Sequence, residues 1–182
     1  MNELTLIVTE LEQVFKRMNT DKLTELTTTL LESQRIFVTG EGRSGLMAKA
    51  FAMRLMHLGA TVYVVGETTT PALTEADTLI ALSGSGETKA TLWAAQQAEL
   101  LGSTGVAITA NNDSSLAKVA QLVLHVPSAT KHRNQGELES VQPLGSLFDQ
   151  SVHLLLDAIC LIYANKIEGA QEQAIHNHSN LE

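Results

Sequence analysis

The chain has one cysteine, Cys160, so no internal disulfide can form. Its place inside HLLLDAICLIYA (153–164) reads as that of a buried core thiol. The same stretch is the most apolar in the sequence, yet Asp157 interrupts it and it is too short to span a bilayer. Basic charge is scarce: 12 Lys and Arg stand against 20 Asp and Glu, a formal net charge of −8. That disfavours nucleic acid and anionic membrane as partners, because both reward basic patches, but leaves room for a small anion held by a few local donors. The N-terminus lacks the basic start and short apolar core of a secretory signal. Its apolar residues Leu4, Ile7, Leu11, Val14, Phe15 and Met18 recur instead at helical spacing. A cytoplasmic protein is expected. No two histidines stand at i, i+4 and no Cys/His cluster exists, so a metal site is disfavoured; His176 and His178 are two apart, which does not share a helix face.

What is present is a folded α/β chain. With 182 residues, 44% of them hydrophobic and 18% charged, the length suits one domain with a sizeable core. Residues 1–33 read as two amphipathic helices, the second opening near Thr20 or Asp21. Short β-branched runs follow at 35–39, 61–65, 78–82, 104–109 and 121–126, each bounded by turn residues. Helical segments separate most of them, at 44–58, 87–101 and a shorter one opened by 111–115, whereas GETTTPALTEAD (66–77) reads as loop. Near-continuous apolar strands alternating with helices predict a five-stranded parallel sheet flanked by helices on both faces, Rossmann-like or flavodoxin-like. A long helix over about 145–166 and a polar tail close the chain. The expected organisation is one domain: helical pair 1–33, α/β core 34–166, tail 167–182.

Two glycine-rich loops carry the chemistry. Gly40-Glu41-Gly42-Arg43-Ser44-Gly45 satisfies G-x-G-x-x-G between a strand and a helix, with Glu67 near the place of a ribose-binding acid. Dinucleotide binding would follow from that motif alone. Against it, no second domain is left for substrate chemistry, and the stretch after the second strand lacks a crossover helix. Nor does dinucleotide binding call for the second loop, Ser83-Gly84-Ser85-Gly86-Glu87-Thr88. There, glycines let backbone amides approach an anion and the following helix directs its N-terminal dipole at it. Ser83, Ser85 and Thr88 add uncharged donors, and Ser44 can join from the neighbouring strand. Two walls of one phosphate site are expected; two glycine-rich turns without a ligand are the alternative. The segment VPSATKHRNQGELESVQ (126–142) is also long for a connection and follows a strand's C-terminal end, where open α/β sheets place ligands.

Strand-GxGRSG, a further strand, then strand-SGSGET resembles the SIS (sugar isomerase) domain family, which binds phosphosugars. FAMRLMHLG (51–59), VYVVGETTTPA (62–72), PLGSLFD (143–149), LLLDAI (154–159) and HSNLE (178–182) resemble its 6-phospho-3-hexuloisomerase branch. The resemblance implies interconversion of D-arabino-3-hexulose 6-phosphate and D-fructose 6-phosphate, after formaldehyde fixation onto ribulose 5-phosphate in the ribulose monophosphate pathway. It further implies no metal or organic cofactor, and a homotetramer with sites near subunit interfaces. Three positions depart from the pattern: Asp149 stands where Glu is expected, Gln142 where Met is common and Ser146 where Thr is usual. The shorter acid weakens Asp149 as a proton carrier.

Moving a carbonyl from C3 to C2 needs a base for the C2 proton, stabilisation of an enediolate and protonation at C3. Glu139 is the first choice for base, by resemblance to the catalytic Glu that precedes a Phe by nine residues in the glucosamine-6-phosphate synthase isomerase domain; Glu137 is the fallback. Among histidines, His178 in the tail motif and His57 near the end of the helix begun at Ser44 are the leading proton carriers. His132 has no motif behind it, His125 reads as structural, and His153 and His176 as surface or helix residues. Arg43, with backbone at Gly42 and Gly84, is expected to contact substrate. A non-catalytic phosphosugar sensor and another isomerase of the family, acting on arabinose 5-phosphate or sedoheptulose 7-phosphate, are the competing functions.

Overall fold

A computed structural model describes residues 2–133 and 137–181. The chain opens with two helices. α1 (Glu3–Arg17) is capped by Asn2, whose side chain accepts the Thr5 amide, and it buries Val14. α2 (Asp21–Glu32) buries Leu26 and Leu30; Asn19, not Thr20, meets its first amide, at 3.0 Å from the Asp21 nitrogen.

The α/β part then runs β1 (Ile36–Gly40), α3 (Gly42–His57), β2 (Val62–Val64), β3 (Thr78–Leu82), α4 (Lys89–Leu100), β4 (Thr104–Thr109), α5 (Ser115–Val119), β5 (Leu122–His125) and α6 (Ser146–Ala164). All five strands pair in parallel, in the order β2-β1-β3-β4-β5. This is the flavodoxin-like sheet with helices on both faces that the alternation predicts. Successive strand residues point to opposite faces and build two cores. Ile36, Val38, Ile80, Leu82 and Ile108 join α1, α2, α3 and α6 on one side; Phe37, Leu79, Ala81 and Ala107 join α4 and α5 on the other.

The 65–77 connection is helix-free, as its composition implies. A buried carboxylate holds it: Asp77 accepts from Arg35 at 2.9 and 2.6 Å and from the Thr74 amide and hydroxyl at 2.7 and 2.8 Å. Burial raises the Asp77 pKa, but those donors outweigh it and leave the carboxyl below its ordinary value.

The long helix expected over about 145–166 is α6, whereas the helix within the tail is not expected from the sequence. α6 extends well beyond its apolar centre and is long and apolar enough to cross a membrane by length and composition. Half of it is buried, against α1, α2 and α3 among others, so it serves as the central core helix. The tail also contains a short helix, α7 (Ala170–His176), opened by Gly169 in the left-handed region at φ 71°. It docks on the end of α3, where Asn177 donates to the carbonyls of Met56 and His57 at 3.3 and 3.2 Å. A polar composition hid it because a helix this short depends on docking more than on its own periodicity.

The topology fixes where a ligand goes. After β1 the chain moves outward to β2, and after β2 it returns to the other side of β1. The connections leaving β1 and β3 therefore diverge to opposite faces, and a crevice opens between their C-terminal ends. Gly40 and Leu82 are partners in register, so the two glycine-rich loops start side by side.

Candidate active site

The first wall of the crevice is the β1–α3 turn. Gly45 packs so closely on β1 that a Cβ there would lie 2.6 Å from the Gly40 carbonyl oxygen, which lets α3 begin tight against the strand. Ser44 sits in the first turn of that helix, half-buried, with Arg43 exposed beside it.

The second wall is the β3–α4 loop. Gly86 has φ 69°, and a Cβ on it would fall 2.1 Å from the Ser114 hydroxyl. No other residue fits there without moving α5. The loop is internally wired. The Ser83 hydroxyl, almost wholly buried, accepts the Gly86 amide at 3.1 Å and lies 2.9 Å from the Thr88 hydroxyl. The Ser85 hydroxyl accepts the Glu87 amide at 3.2 Å, and the Glu87 carboxylate accepts the first amide of α5, Ser115, at 2.8 Å. These bonds turn Ser85 and Thr88 toward the crevice, while Ser83 supports the loop from beneath.

The third wall comes from the long connection after β5 and from α6. Glu137 clamps Thr130, accepting its amide at 2.6 Å and its hydroxyl at 2.7 Å, and so shapes the 130–132 turn. On α6, Asp149 points into the crevice with only 13% of its side chain exposed. Arg43 Nε approaches Asp149 Oδ2 at 3.0 Å, and the Ser44 hydroxyl donates to Oδ1 at 3.3 Å. Burial pushes the Asp149 carboxyl up; Arg43 and Ser44 pull it down but do not cancel the effect, and the pKa stays raised.

Together these elements enclose a cleft of about 220 Å³ lined by Ser44, Ser85, Thr88 and Gly84 on the two glycine loops, by Arg43 and Asp149, and by Thr130, Lys131 and His132. Uncharged donors occupy one side and a raised carboxylate with cationic neighbours the other. That is a chemistry for holding an anionic group while a carboxylate moves a proton.

The sequence-predicted residues divide accordingly. Ser44, Ser85, Thr88, Gly84 and Arg43 meet at the cleft; Ser83 lies under it. Gly42 faces an adjoining depression beside β2, near the Lys49–Glu67 ion pair at 2.8 Å. Glu139 is exposed and does not line the cleft. His57 and His178 come together, stacked with ring centroids 5.3 Å apart, but at the far end of α3. A helix rises about 1.5 Å per residue, so the length of α3 puts this pair roughly 20 Å from the cleft within one chain. His125 binds the Ala110 carbonyl at 3.1 Å and His153 lies 3.8 Å from Asp157, while His176 is exposed. Residues 134–136 of the long connection and Glu182 of the tail motif lie outside the described residues.

Sequence reasoning discounted Asp149 and gave no role to Lys131 or Thr130. The signal for Asp149 was an acid in the first turn of the helix that returns to the sheet's ligand end.

A doubly wound parallel sheet with two glycine-rich loops at its switch point defines a ligand-binding α/β architecture, and the chain belongs to the SIS domain family, whose sequence profile matches residues 29–154. It is 41% identical over 176 residues to the 3-hexulose-6-phosphate isomerase of Bacillus subtilis (strain 168), spanning 97% of this chain and 95% of that one. It is 37% identical over 181 residues to the 3-hexulose-6-phosphate isomerase of Mycobacterium gastri, spanning 100% and 90%. Among solved structures, a hypothetical protein from Methanococcus jannaschii, for which a molecular function of 3-hexulose-6-phosphate isomerase was inferred, matches with TM-score 0.85 and 29% identity over 100% of both chains.

Proposed function

We propose that this chain is a 3-hexulose-6-phosphate isomerase, converting D-arabino-3-hexulose 6-phosphate to D-fructose 6-phosphate. The observation that carries this reading is the cleft: Ser85 and Thr88 line it together with Asp149, which Ser44 and Arg43 hold, around a space suited to a sugar phosphate. Near full-length likeness to two isomerases of that name supports the choice of substrate.

On this reading the phosphoryl group sits against the Ser85–Thr88 loop, held by backbone amides, hydroxyls and the start of α4. A carboxylate removes the C2 proton and electron density moves onto the C3 carbonyl oxygen, giving a 2,3-enediolate. The same carboxylic acid then protonates C3 as the carbonyl forms at C2, while the hydroxyl proton passes from O2 to O3. The cleft favours Asp149 for this carboxylate, since burial raises its pKa and it faces the donors. Glu139, the carboxylate the resemblance suggests, remains the alternative base. Transfer between O2 and O3 falls to a histidine. His132 lines this chain's cleft, and His57 with His178 would reach only the cleft of another subunit in the proposed homotetramer. The reaction would follow formaldehyde fixation onto ribulose 5-phosphate in the ribulose monophosphate pathway, in the cytoplasm.

The test is to supply 3-hexulose 6-phosphate and couple fructose 6-phosphate formation to phosphoglucose isomerase and a glucose-6-phosphate dehydrogenase. Rapid dehydrogenase signal supports the reading. Saturable binding without turnover would instead identify a phosphosugar sensor.

A further inference from the structure

The third wall of the cleft is not self-supporting. The described part of the connection between β5 and α6 is irregular backbone, and besides the buried Leu138 two carboxylates hold its described residues. Near its start Glu137 clamps Thr130, as described above. Near its end the anchor comes from outside the α/β core. The carboxylate of Glu10, in the middle of α1, accepts the Ser140 hydroxyl at 2.7 Å, the Val141 amide at 2.7 Å and the Gln142 side-chain amide at 2.9 Å. The Ser140 hydroxyl in turn accepts the Gln142 backbone amide at 3.1 Å, and Arg133 donates to the Gln142 carbonyl, tying the two halves of the connection together. One side chain thus meets three consecutive residues some 130 positions away.

Burial alone would raise the Glu10 pKa; bonds from Gln142, Val141 and Ser140 and the charge of Arg133 overcome it, and the carboxyl lies below its ordinary value. The group is therefore an ionised acceptor, and its bonds are of the charge-assisted, stronger kind. α1 lies outside residues 29–154, the part matched by the family profile. Val14, with Leu11 and Phe15, packs α1 on the core, against α6 among others, which is ordinary packing. The Glu10 contacts differ because they reach a cleft-forming segment and not the core.

We propose that Glu10 is a positioning residue for the isomerase reaction. The N-terminal helix, through this one carboxylate, fixes the 140–142 strap and thereby the placement of Glu139 beside it, of Gly145 and Asp149 after it, and of the Thr130–His132 turn linked to it. The proposal rests on the isomerase reading of the cleft. Reacting groups held within a fraction of an ångström lose rate steeply when displaced, by as much as about 100-fold for 1 Å.

The experiment compares the wild type with Glu10→Ala and with Gln142→Met, which keeps the side-chain volume but removes one donor. Three readouts are taken: kcat and KM on 3-hexulose 6-phosphate, amide hydrogen exchange by segment, and far-UV circular dichroism. The expected result is a fall in kcat of about tenfold or more in Glu10→Ala and a smaller one in Gln142→Met. Faster exchange should be confined to residues 137–145 and the linked 130–133 turn, with the strands unchanged. The double variant should be no worse than Glu10→Ala, because both act through one contact. Unchanged kcat, unchanged exchange over 137–145, or loosening spread across the β-core would each overturn the proposal. Should the wild type itself not turn over 3-hexulose 6-phosphate, the isomerase reading fails separately. The Glu10 role is then decided by fructose 6-phosphate affinity, which should weaken in Glu10→Ala alongside the local exchange change and would refute the proposal by staying constant.

Discussion

Ser44 and Asp149, 105 residues apart in sequence, share a hydrogen bond of 3.3 Å in the wall of the cleft, which joins the first turn of α3 to the first turn of α6. A carboxylate in that position is poorly solvated, and its raised pKa has a thermodynamic consequence. Between the ordinary aspartate pKa of about 3.9 and the raised folded value, the native state binds more protons than the unfolded chain. Stability attributable to Asp149 is therefore fully present below the unfolded value and is lost as pH rises through the folded one. At neutral pH the ionised group is a burden on the fold.

Asp149→Asn should accordingly leave the thermal midpoint at pH 7 unchanged or higher, while lowering kcat by roughly 100- to 10,000-fold, the range for loss of a general base. The lost pair with Arg43 offsets little, since that guanidinium is 45% exposed. Thermal melts and the coupled assay on one preparation decide it. A variant that is both less stable and fully active would show that Asp149 is a structural acid.

Removing single cradle hydroxyls should affect binding more than turnover. On the isomerase reading, Thr88→Ala and Ser85→Ala each lose one donor to the phosphoryl group and should raise KM about tenfold with kcat nearly unchanged, because ground state and transition state would hold the phosphate equally. Ser83→Ala acts indirectly, through the Gly86 amide and Thr88 hydroxyl it supports, and should give the smaller change. Gly86→Ala should go further and destabilise the protein by roughly 2–4 kcal/mol, since a Cβ at φ 69° would strike Ser114. Steady-state kinetics and urea midpoints separate the two effects.

The fold was legible because it rests on local signals. Runs such as TLIAL (78–82) and TGVAIT (104–109) coincide with β3 and β4, and the helix-free 65–77 stretch announces itself by composition. Both glycine-rich loops could be located because close packing at Gly45 and a left-handed turn at Gly86 restrict residue choice. The cleft carboxylate was less accessible. Asp149 is set in place by burial on a core helix and by two partners from α3, information that resides in three-dimensional packing and leaves no spacing rule along the chain. His57 and His178 illustrate the converse. Family motifs single them out, and the structure brings them together at the far end of α3, a relation invisible in one dimension. Glu10 left no trace at all, because an acid on an amphipathic helix is ordinarily solvated.

The distance between that histidine pair and the cleft can be tested by mixing chains. If a homotetramer assembles with His57 of one subunit at the cleft of another, inactive Asp149→Asn and inactive His57→Ala chains should complement. After co-refolding in equal amounts, some sites combine an intact Asp149 with an intact His57, and activity should recover to about a quarter of wild type, the chance that both groups at a randomly assembled site are intact. No recovery, with assembly verified by light scattering, would confine the chemistry to one chain and favour His132. Glu139→Gln belongs in the same series: near-normal turnover in that variant excludes Glu139 as the base.

Asp77 supplies the opposite pH signature to Asp149. Its side chain is fully buried, and four hydrogen bonds from Arg35 and Thr74 depress its pKa. For a depressed acid the unfolded chain binds more protons, so the stabilisation is fully present above the unfolded value of about 3.9 and is lost as pH falls through the folded one. Asp77→Asn keeps the shape but removes the charge that Arg35 answers. It should lower the thermal midpoint at pH 7 by on the order of 5–10 °C. The gap between variant and wild type should then narrow as pH drops below about 4, because protonation of Asp77 in the unfolded wild-type chain removes the stabilisation there. A gap that stays constant from pH 7 to pH 3 would mean that the 65–77 connection is held by packing and by the neutral Thr74 contacts, with no contribution from the ion pair.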